Sequence, residues 1–509
     1  MTASSAFRPP DDGGFTPQEQ RGREIYLRGK SPSGKGITAV MGNGGAEIPA
    51  ATIACVNCHG RDGLGKTEGG VSPSNLTWDS LTKPYTVTTP SGRRHAAYDE
   101  PLLKRAITMG IDPGGNQLQV AMPRYRMTLE DMADLIAYLK KLGKSNDPGL
   151  TPTAIQVGTV VPGEGPLSEM GKALSSVVEA YFEELNTQGG IFGRKIEVHV
   201  LSGASGDVKR SIDAGNLFAL VSPFTAGGDK AFADLFEDEH IPVVGPVTLL
   251  PQAGSPTSRQ TFYLYSGPAE QVRALFAFAA TGVKPPARRV AVVCPDNQVT
   301  SGLIPLVQEQ SQKLGLKLVA ANNYLDGRLD ARQSAAQLRE ADPDTVFFFG
   351  NSDEERSLAK ELDGLNFRPN LLLVGSLAGR GMFDLPAGFN GRVFLSYPTV
   401  PSDRSAEAMA GFVRLARKYK LNSQHFTAQI SAYSAAEVLT EGLRLAGREL
   451  ARERLVDALE GLSNFDTGLM PKISYGPNRR IGARGAYVMG IDLEKKQLTP
   501  ASGWIEAPD

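Results

Sequence analysis

The sequence has no excess of charge of either sign. Its 54 lysine and arginine residues against 55 aspartate and glutamate residues leave a formal net charge of -1. Without a net field of one sign, the chain has no general attraction for nucleic acid or for an anionic membrane surface. It also lacks an apolar run of the roughly 18–20 residues that a membrane-spanning helix requires. We therefore expect neither a nucleic-acid partner nor a membrane span.

The N-terminal segment lacks the basic and apolar regions of a secretory signal. With 509 residues, the chain is too long for one small domain, because domains usually run about 100–200 residues. Hydrophobic residues make up 41% and charged residues 21%, the composition of an ordinary soluble globular protein. More than one globular domain is therefore expected.

Cysteine is scarce, and two of the 3 cysteines lie in one motif. Residues 55–59 read Cys-Val-Asn-Cys-His, the attachment signature of c-type haem, in which each thiol adds to one vinyl group and the histidine binds the iron. A zinc site would need a second Cys/His pair, and a thioredoxin-type motif would need a βαβ context. Neither is found. The motif predicts one covalent haem c, with thioethers to Cys55 and Cys58 and an axial bond to His59.

Cys294 ends the apolar run 290–293 and is expected to be a buried, inert thiol without a disulfide partner. Covalent haem attachment resembles the work of an extracytoplasmic maturation system. The expected location is therefore the periplasm, with the secretory signal removed from the mature chain.

The sixth position of the iron also needs a ligand. Met122 is predicted, because it precedes Pro123 in a loop just ahead of a helix that Thr128 caps. A thioether favours ferrous iron, suits electron transfer and fills the position that oxygen or peroxide would need. Three other methionines are expected to pack around the porphyrin and one histidine to lie at the surface. These residues are the alternative ligands: Met109, Met127, Met132 and His95.

The order of these features resembles a class I cytochrome c over about residues 20–142. The haem motif, Asn-Leu-Thr at 75–77, Met-Pro-Arg-Tyr at 122–125 and Leu-Ile-Ala-Tyr-Leu at 135–139 follow one another as in that family. The resemblance implies a mainly α domain that carries electrons through its haem. Weaker candidates for contact with the haem propionates are Trp78, Arg93 and Arg94.

After a linker at residues 144–152, strand patterns alternate with helical patterns. Strands are predicted at residues 155–161, 196–200, 217–221, 242–245, 289–293, 316–321, 345–349, 371–375 and 393–396. This alternation predicts parallel α/β sheets, in which ligands bind outside the carboxyl ends of the strands.

This larger part resembles a type I periplasmic solute-binding protein, the class of branched-chain amino acid and amide receptors that feed ABC importers. The resemblance rests on Gly-Thr-Val-Val-Pro at 158–162, Asn-Thr-Gln-Gly-Gly at 186–190, Ile-Pro-Val-Val-Gly-Pro at 241–246 and the segment 428–442. It implies two α/β lobes that close on a small molecule. The predicted divisions are a loose lead-in (1–22), a cytochrome c domain (23–143), the linker (144–152) and a binding domain (153–509).

Seven residues that follow predicted strands are candidate ligand contacts, since helix N-termini and hydroxyl groups there can bind polar groups. They are Thr225, Ala226, Gly227 and Thr248 in one lobe and Asp296, Asn351 and Ser376 in the other. Each can alternatively be a helix cap or turn residue. No carboxylate near Ser376 is placed to hold an α-ammonium group. We therefore expect a carboxylate-bearing or neutral organic ligand rather than an amino acid.

No catalytic residue is predicted, because the sequence has no P-loop, nucleophile elbow or metal-binding helix motif. The leading hypothesis is a periplasmic protein that transfers electrons and binds a small organic ligand, with a dehydrogenase or another cytochrome as redox partner. The first alternative is a receptor for an ABC permease with an accessory cytochrome. The second is an oxidoreductase that acts on the bound ligand through the haem. It would require a base and a further cofactor, and neither is visible.

Overall fold

The computed structural model describes residues 15–41, 45–60, 62–65, 72–89, 92–143, 147–163, 165–215, 217–252 and 259–507. The chain forms two compact units. The first contains the chain up to Ala154 with two short later segments, Ala214–Phe218 and Glu449–Arg454. The second contains Ile155–Asp213, Ala219–Arg448 and Leu455–Asp509. Residues 144–146 of the predicted linker and residues 1–14 of the predicted lead-in lie outside the described residues.

The first unit is mainly helical, as predicted. Its helices are α1 (Pro17–Arg28), α2 (Val56–His59), α3 (Trp78–Leu81), α4 (Glu100–Met109) and α5 (Leu129–Leu139). Its short strands are β1 (Thr38–Val40), β2 (Glu47–Pro49), β3 (Val87–Thr88), β4 (Arg94–His95) and β5 (Arg124–Arg126). Strand β1 pairs antiparallel with both β2 and β5, and β3 and β4 form a hairpin.

The prediction of a loose lead-in up to residue 22 was wrong in its last part, because α1 begins at Pro17. Thr16 accepts a hydrogen bond from the backbone N–H of Glu19, whose carboxylate accepts one from the N–H of Thr16 in return. This capping box, with proline at the first helical position, satisfies N–H groups that the helix itself leaves free.

Helices α1 and α5 cross closely. A Cβ atom at Gly22 would overlap the carbonyl oxygen of Asp134, so only glycine fits there. Beside it, the guanidinium of Arg21 donates to both carboxylate oxygens of Asp134 at 2.6 and 3.0 Å. Thr128 caps α5, as predicted, by accepting from the N–H of Asp131. Leu129, the first residue of α5, is 75% exposed because it lies about one turn before Met132, the first apolar core residue of the helix.

The second unit alternates strands and helices. In chain order they are β6 (Ala154–Val161), α6 (Ser168–Thr187), β7 (Lys195–Ser202), α7 (Ser205–Gly215), β8 (Ala219–Val221), α8 (Asp229–Asp238), β9 (Val243–Val244), β10 (Thr261–Tyr265), α9 (Pro268–Thr281), β11 (Arg289–Asp296), α10 (Leu303–Lys313), β12 (Lys317–Leu325), α11 (Ala331–Ala341), β13 (Thr345–Phe348), α12 (Ser352–Gly364), β14 (Asn370–Val374), β15 (Val393–Tyr397), α13 (Ala406–Lys418), α14 (Phe426–Ala446), α15 (Arg452–Glu460), β16 (Ile481–Ala483), β17 (Gly485–Asp492), β18 (Gln497–Pro500) and β19 (Ile505–Glu506).

Two sheets define two lobes. The first-lobe sheet has the order β16-β10-β9-β8-β6-β7, and β6, β8, β9, β10 and β16 pair in parallel. The second-lobe sheet has the order β12-β11-β13-β14-β15-β17-β18. It is parallel from β12 to β15 and antiparallel at β17 and β18. In the described ranges the chain passes from one sheet to the other after β10, after β15 and after β16. This confirms the predicted two-lobed α/β fold.

Each predicted strand is found, with its ends shifted by a few residues, but β10 and the strands after β15 were not predicted. Strands β16 and β17 contain glycine and alanine, which are uncommon in strands. They are strands because β10 and β15 offer them hydrogen-bonding edges.

Cys294 lies in β11 and is buried, as predicted, and burial raises the pKa of its thiol to about 11. Among the described residues, no helix combines the length and the apolar character that crossing a membrane would demand.

Candidate functional site

The haem motif forms one short helical turn. Helix α2 begins directly after Cys55 and contains Cys58 and His59. The N–H groups of Cys58 and His59 both bond to the carbonyl oxygen of Cys55, at 3.3 and 3.0 Å. Both cysteine side chains line one cavity. The turn therefore presents two thiols and an imidazole to the same space.

His59 is held in a single orientation. It is 6% exposed, and its Nδ1 lies 2.9 Å from the carbonyl oxygen of Ser74. A carbonyl oxygen only accepts, so Nδ1 carries the hydrogen and Nε2 keeps its lone pair for a metal. Burial lowers the pKa of the imidazole, against the opposing effect of the Ser74 hydrogen bond. The ring is therefore kept neutral, as an iron ligand must be.

The residues after His59 anchor this arrangement. Gly60 has a φ of 71°, a backbone conformation that suits glycine. Its carbonyl oxygen accepts a hydrogen bond of 2.6 Å from the buried Tyr26 of α1. The carbonyl oxygen of His59 in turn accepts from the N–H of Gly65 at 3.0 Å. The motif is thus fixed to the helical core on one side and to the following loop on the other.

The cavity has a volume of about 520 Å³, within the roughly 300–1,000 Å³ typical of ligand and cofactor sites. Most of its wall is apolar and comes from several elements, including Leu76, Leu81, Leu103, Ile107, Leu118 and Leu135. A porphyrin, which is largely apolar with two carboxylates at one edge, fits a wall of this chemistry.

Met122 lines this cavity together with Cys55, Cys58 and His59. Arg124 fixes its loop by donating to the carbonyl oxygens of Met122 and Leu118, the latter at 3.2 Å. Gly110 makes room for this arginine, since a Cβ atom there would overlap the guanidinium. The structure thus brings all four predicted haem ligands to one cavity. Their bonds to haem stay a prediction.

The alternative ligands are placed differently. Met109 is 60% exposed, so its expected packing around the porphyrin was wrong. Met132 is buried in the helical core, and Met127 packs partly buried against that core. His95 was expected at the surface, but its half-buried side chain lines the cavity because it lies on the β3–β4 hairpin.

The three weaker candidates for propionate contact also differ in where the structure places them. Arg93 lines the cavity, whereas its neighbour Arg94 is exposed. Trp78 is half-buried, with the ammonium group of Lys140 5.4 Å from its ring centroid. Only Arg93 is therefore placed to contact a group inside the cavity.

In the first lobe of the second unit, two predicted ligand residues meet at a carboxyl group. Thr225 and Thr248 follow β8 and β9, and both donate their hydroxyl hydrogen to Oδ1 of Asp229, the Thr225 bond measuring 3.1 Å. Asp229 is buried and begins α8. Ala226 and Gly227 form the preceding turn, in which Gly227 has a φ of 87°. Asp229 was not among the predicted residues, although an acidic residue directly after Gly227 and Gly228 was a visible signal.

In the second lobe, the three predicted residues lie at or after the ends of different strands. Asp296 ends β11 and Ser376 follows β14, and both are exposed. Asn351 caps α12, accepting from the N–H groups of Asp353 and Glu354 at 3.0 and 3.1 Å. The helix-cap alternative thus accounts for the Asn351 oxygen. Contact between ligand and any of these residues stays a prediction.

Glu355, in the first turn of α12, was also not predicted. This side chain is 2% exposed, and its Oε1 has no hydrogen-bond partner among the described residues. Burial raises the pKa of its carboxyl group to about 8. A run of polar residues at 351–356 gave no sign that one of them is buried.

Comparison with known families identifies both parts of the chain. The family model for cytochrome c matches residues 45–143, and the family model for periplasmic binding proteins matches residues 154–497. The second match covers more than half of the chain. The first agrees with the cavity that Cys55, Cys58 and His59 line, and it implies covalent haem c.

Similar proteins and structures agree with this division. The Leu/Ile/Val-binding protein BraC3 of Rhizobium johnstonii is 22% identical over 328 residues, which cover 63% of this chain and 87% of that protein. A fatty acid ABC transporter substrate-binding protein from Thermomonospora curvata has a TM-score of 0.53 at 18% identity, covering 71% of this chain and 94% of that one. A putative branched-chain amino acid ABC transporter from Rhodospirillum rubrum has a TM-score of 0.56 at 16% identity, covering 68% and 99%.

At these identities the solved structures establish the fold alone, whereas the family match covers most of the two-lobed unit. The chain belongs to the periplasmic binding protein family, and its binding domain follows a cytochrome c domain.

Proposed function

We propose that the first unit carries one covalently attached haem and transfers single electrons, while the second binds a small organic molecule between its lobes. The observation that carries the haem proposal is the buried His59, whose Nδ1 bonds to the carbonyl oxygen of Ser74 beside two thiols at the cavity wall. When bound, the haem supplies one-electron chemistry.

The role of the protein is to hold and surround that group. Cys55 and Cys58 would hold the haem through thioethers, and Nε2 of His59 and the sulfur of Met122 would be the protein ligands of its iron. With both ligands supplied by the protein, oxygen or peroxide would have no free site. The apolar wall limits water around the cofactor. Electron transfer is the chemistry that this set of residues serves best.

Haem attachment can be tested in a host that attaches c-type haem. We expect one haem per wild-type chain, by intact mass and by the pyridine haemochrome spectrum. A double Cys55→Ala, Cys58→Ala variant should carry none. Cys294→Ala is the matched control, since it removes a thiol outside the cavity and should leave haem content unchanged. Equal haem in the double variant and the wild type would refute the attachment site.

We further propose that the ligand meets the first lobe with a hydrogen-bond donor. Both threonine hydroxyls are already directed at Asp229, so a ligand carboxylate would meet a buried carboxyl group rather than free donors. Two carboxylates in close contact disfavour each other's charge. An amide, amine or hydroxyl group avoids this cost. The carboxylate-bearing ligand allowed by the sequence is therefore the less favoured choice.

Thermal unfolding with matched pairs of small carboxylic acids and their primary amides tests this. We expect amides, and not the acids, to raise the melting temperature of the wild type. Asp229→Asn should abolish the increase. Asp234→Asn, on the exposed side of the same helix, should preserve it. Stabilisation by the acids alone would contradict the proposed ligand class. Native mass spectrometry of the purified protein would detect any ligand that co-purifies.

The second candidate is a receptor that delivers its ligand to an ABC permease, with the cytochrome as an accessory. The names of the relatives, which are Leu/Ile/Val-binding proteins, favour it. Thermodynamic linkage distinguishes the two candidates. If ligand binding is coupled to the haem, the ligand shifts the midpoint potential of the haem, and reduction of the haem changes the free energy of ligand binding by the same amount. Equal affinity in both redox states, together with binding to a permease, supports the receptor.

A further inference from the structure

The chain returns from the second lobe to the first through residues 398–405, the crossing segment between β15 and α13. Neighbouring residues near the end of this segment contact different lobes. Asp403 is bonded to the second lobe, whereas Arg404 and Ser405, the next two residues, contact the first lobe. The change from one lobe to the other is therefore concentrated at the link between Asp403 and Arg404.

Asp403 is fixed to the second lobe through both of its carboxylate oxygens. Its Oδ1 accepts a hydrogen bond from the hydroxyl group of Tyr487 in β17. Its Oδ2 accepts from the hydroxyl group of Thr399 at 2.8 Å and from the N–H of Val400 at 2.9 Å. Tyr487 has its own place in the sheet, because it pairs with Tyr397, the last residue of β15. The carboxylate thus connects the end of the crossing segment to the strand pair from which the segment departs.

Arg404 and Ser405 are fixed to the first lobe instead. The guanidinium carbon of Arg404 lies 5.1 Å from the ring centroid of Phe426, within the range of a cation–π contact. The N–H of Ser405 donates to the carbonyl oxygen of Gly468 at 2.7 Å. Phe426 begins α14, which packs on α6, β8 and β9, and Gly468 lies in the loop ahead of β16. Both contacts therefore belong to the first lobe.

These contacts determine where the backbone can turn. When two lobes change their relative angle, the torsion angles of a few connecting residues absorb the change. In the crossing segment these residues are the ones between the two sets of contacts. Arg404 has a φ of -88° and a ψ of 107°, within the broad extended region, where both angles can change without steric overlap.

We propose that the hydrogen bond from Tyr487 to Asp403 makes the link between Asp403 and Arg404 the hinge point of the crossing segment. Tyr487 and Asp403 are then positioning residues that limit the range of lobe orientations. Without this bond, residues 398–403 would also move, and the lobes would take up a wider range of orientations. Closure on a ligand between the lobes, as proposed above, would turn about the same link.

The range of lobe orientations can be measured in the full-length protein by single-molecule fluorescence energy transfer. Dyes coupled to unnatural amino acids at the exposed positions Asp234 of α8 and Glu340 of α11 report the distance between the lobes. Tyr487→Phe removes only the hydroxyl group and keeps the ring, which packs against Trp504. We expect this variant to have a broader distance distribution than the wild type.

Tyr419→Phe is the matched control. The Tyr419 hydroxyl group also donates to a carboxylate, that of Glu184 at 3.1 Å, but both residues lie in the first lobe. Its removal should leave the distance distribution unchanged. Asp403→Asn is a second test of the hinge point, because an amide group cannot accept hydrogen bonds on both sides as the carboxylate does. This variant should also broaden the distribution.

Hydrogen exchange shows which part of the chain is released. In Tyr487→Phe, amides of the crossing segment should exchange about tenfold faster, because one of the bonds that oppose local opening is lost. Amides of β14, in the middle of the second-lobe sheet, should keep their wild-type rate.

A wild-type distance distribution in both Tyr487→Phe and Asp403→Asn would overturn the proposal. So would an equal increase of exchange in the crossing segment and in β14, because it would show a general loss of stability in the second lobe. Neither measurement uses the haem or an added ligand. Absence of haem, or failure of amides to bind, would therefore refute the proposed function and not the hinge point.

Discussion

Tyr26, in the first helix, donates its hydroxyl hydrogen to the carbonyl oxygen of Gly60, 2.6 Å away, and so connects the helical core to the residue that follows the axial histidine. The two residues are 34 positions apart in the chain. The orientation of His59 therefore depends on a helix that carries no part of the haem motif.

Tyr26→Phe should lower the free energy of unfolding by about 1–3 kcal/mol, because the buried carbonyl group of Gly60 loses its donor. Chemical denaturation followed by haem absorbance measures this. Tyr85→Phe is the control, since the Tyr85 side chain is exposed. Equal effects of the two substitutions would mean that the Tyr26 hydroxyl contributes nothing at this site.

Met122→Ala should remove the long-wavelength charge-transfer band of thioether-ligated ferric haem. It should also lower the midpoint potential by on the order of 0.1 V, a fraction of the roughly 0.8 V range that axial ligands span. Met127→Ala, which removes a partly buried methionine of the same unit, should preserve band and potential. Loss of the band in Met127→Ala but not in Met122→Ala would show that Met127, and not Met122, binds the iron.

Gly22→Ala should destabilise the first unit by about 1–3 kcal/mol, because the added methyl group would overlap the backbone of α5. Gly36→Ala is the matched control, since a Cβ atom there would meet nothing within 4 Å. Denaturation midpoints followed by haem absorbance compare the two. If Gly22→Ala left the denaturation midpoint unchanged, α1 would be able to move away from α5 without a cost in stability.

Glu355 should make the stability of the second unit depend on pH. Its pKa of about 8 is above the ordinary value, so the folded protein binds this proton more tightly than the unfolded chain does. The stabilisation is complete below the unfolded pKa of roughly 4.3 and is lost as pH rises to about 8.

Glu355→Gln, which is neutral at every pH, should therefore gain roughly 5 kcal/mol over the wild type between pH 4 and pH 9. Melting temperatures measured across that range test this. Glu340→Gln, at an exposed position of α11 in the same lobe, should follow the wild-type profile. Parallel profiles for Glu355→Gln and wild type would show that Glu355 ionises normally.

Features that depend on neighbouring residues could be predicted from the sequence. The haem motif is a matter of spacing within one helical turn, and the Thr128 cap involves groups three residues apart. Alternation of apolar runs predicted the strands of both sheets up to β15, except β10. Strands β16 and β17 were not predicted, because their residues have little strand preference. They form because β10 and β15, which are distant in the chain, offer edges for hydrogen bonding.

The sequence by itself determined the haem motif and the alternation of strands and helices, because covalent chemistry and hydrophobic periodicity are local properties, and its resemblance to two families implied the two lobes. Only the tertiary structure decided which polar groups are already in use. It directs Nδ1 of His59 to Ser74, 15 positions away, and it directs two threonine hydroxyls to Asp229. Hydrogen bonds between distant segments depend on how the backbone packs, and no spacing in the chain records them.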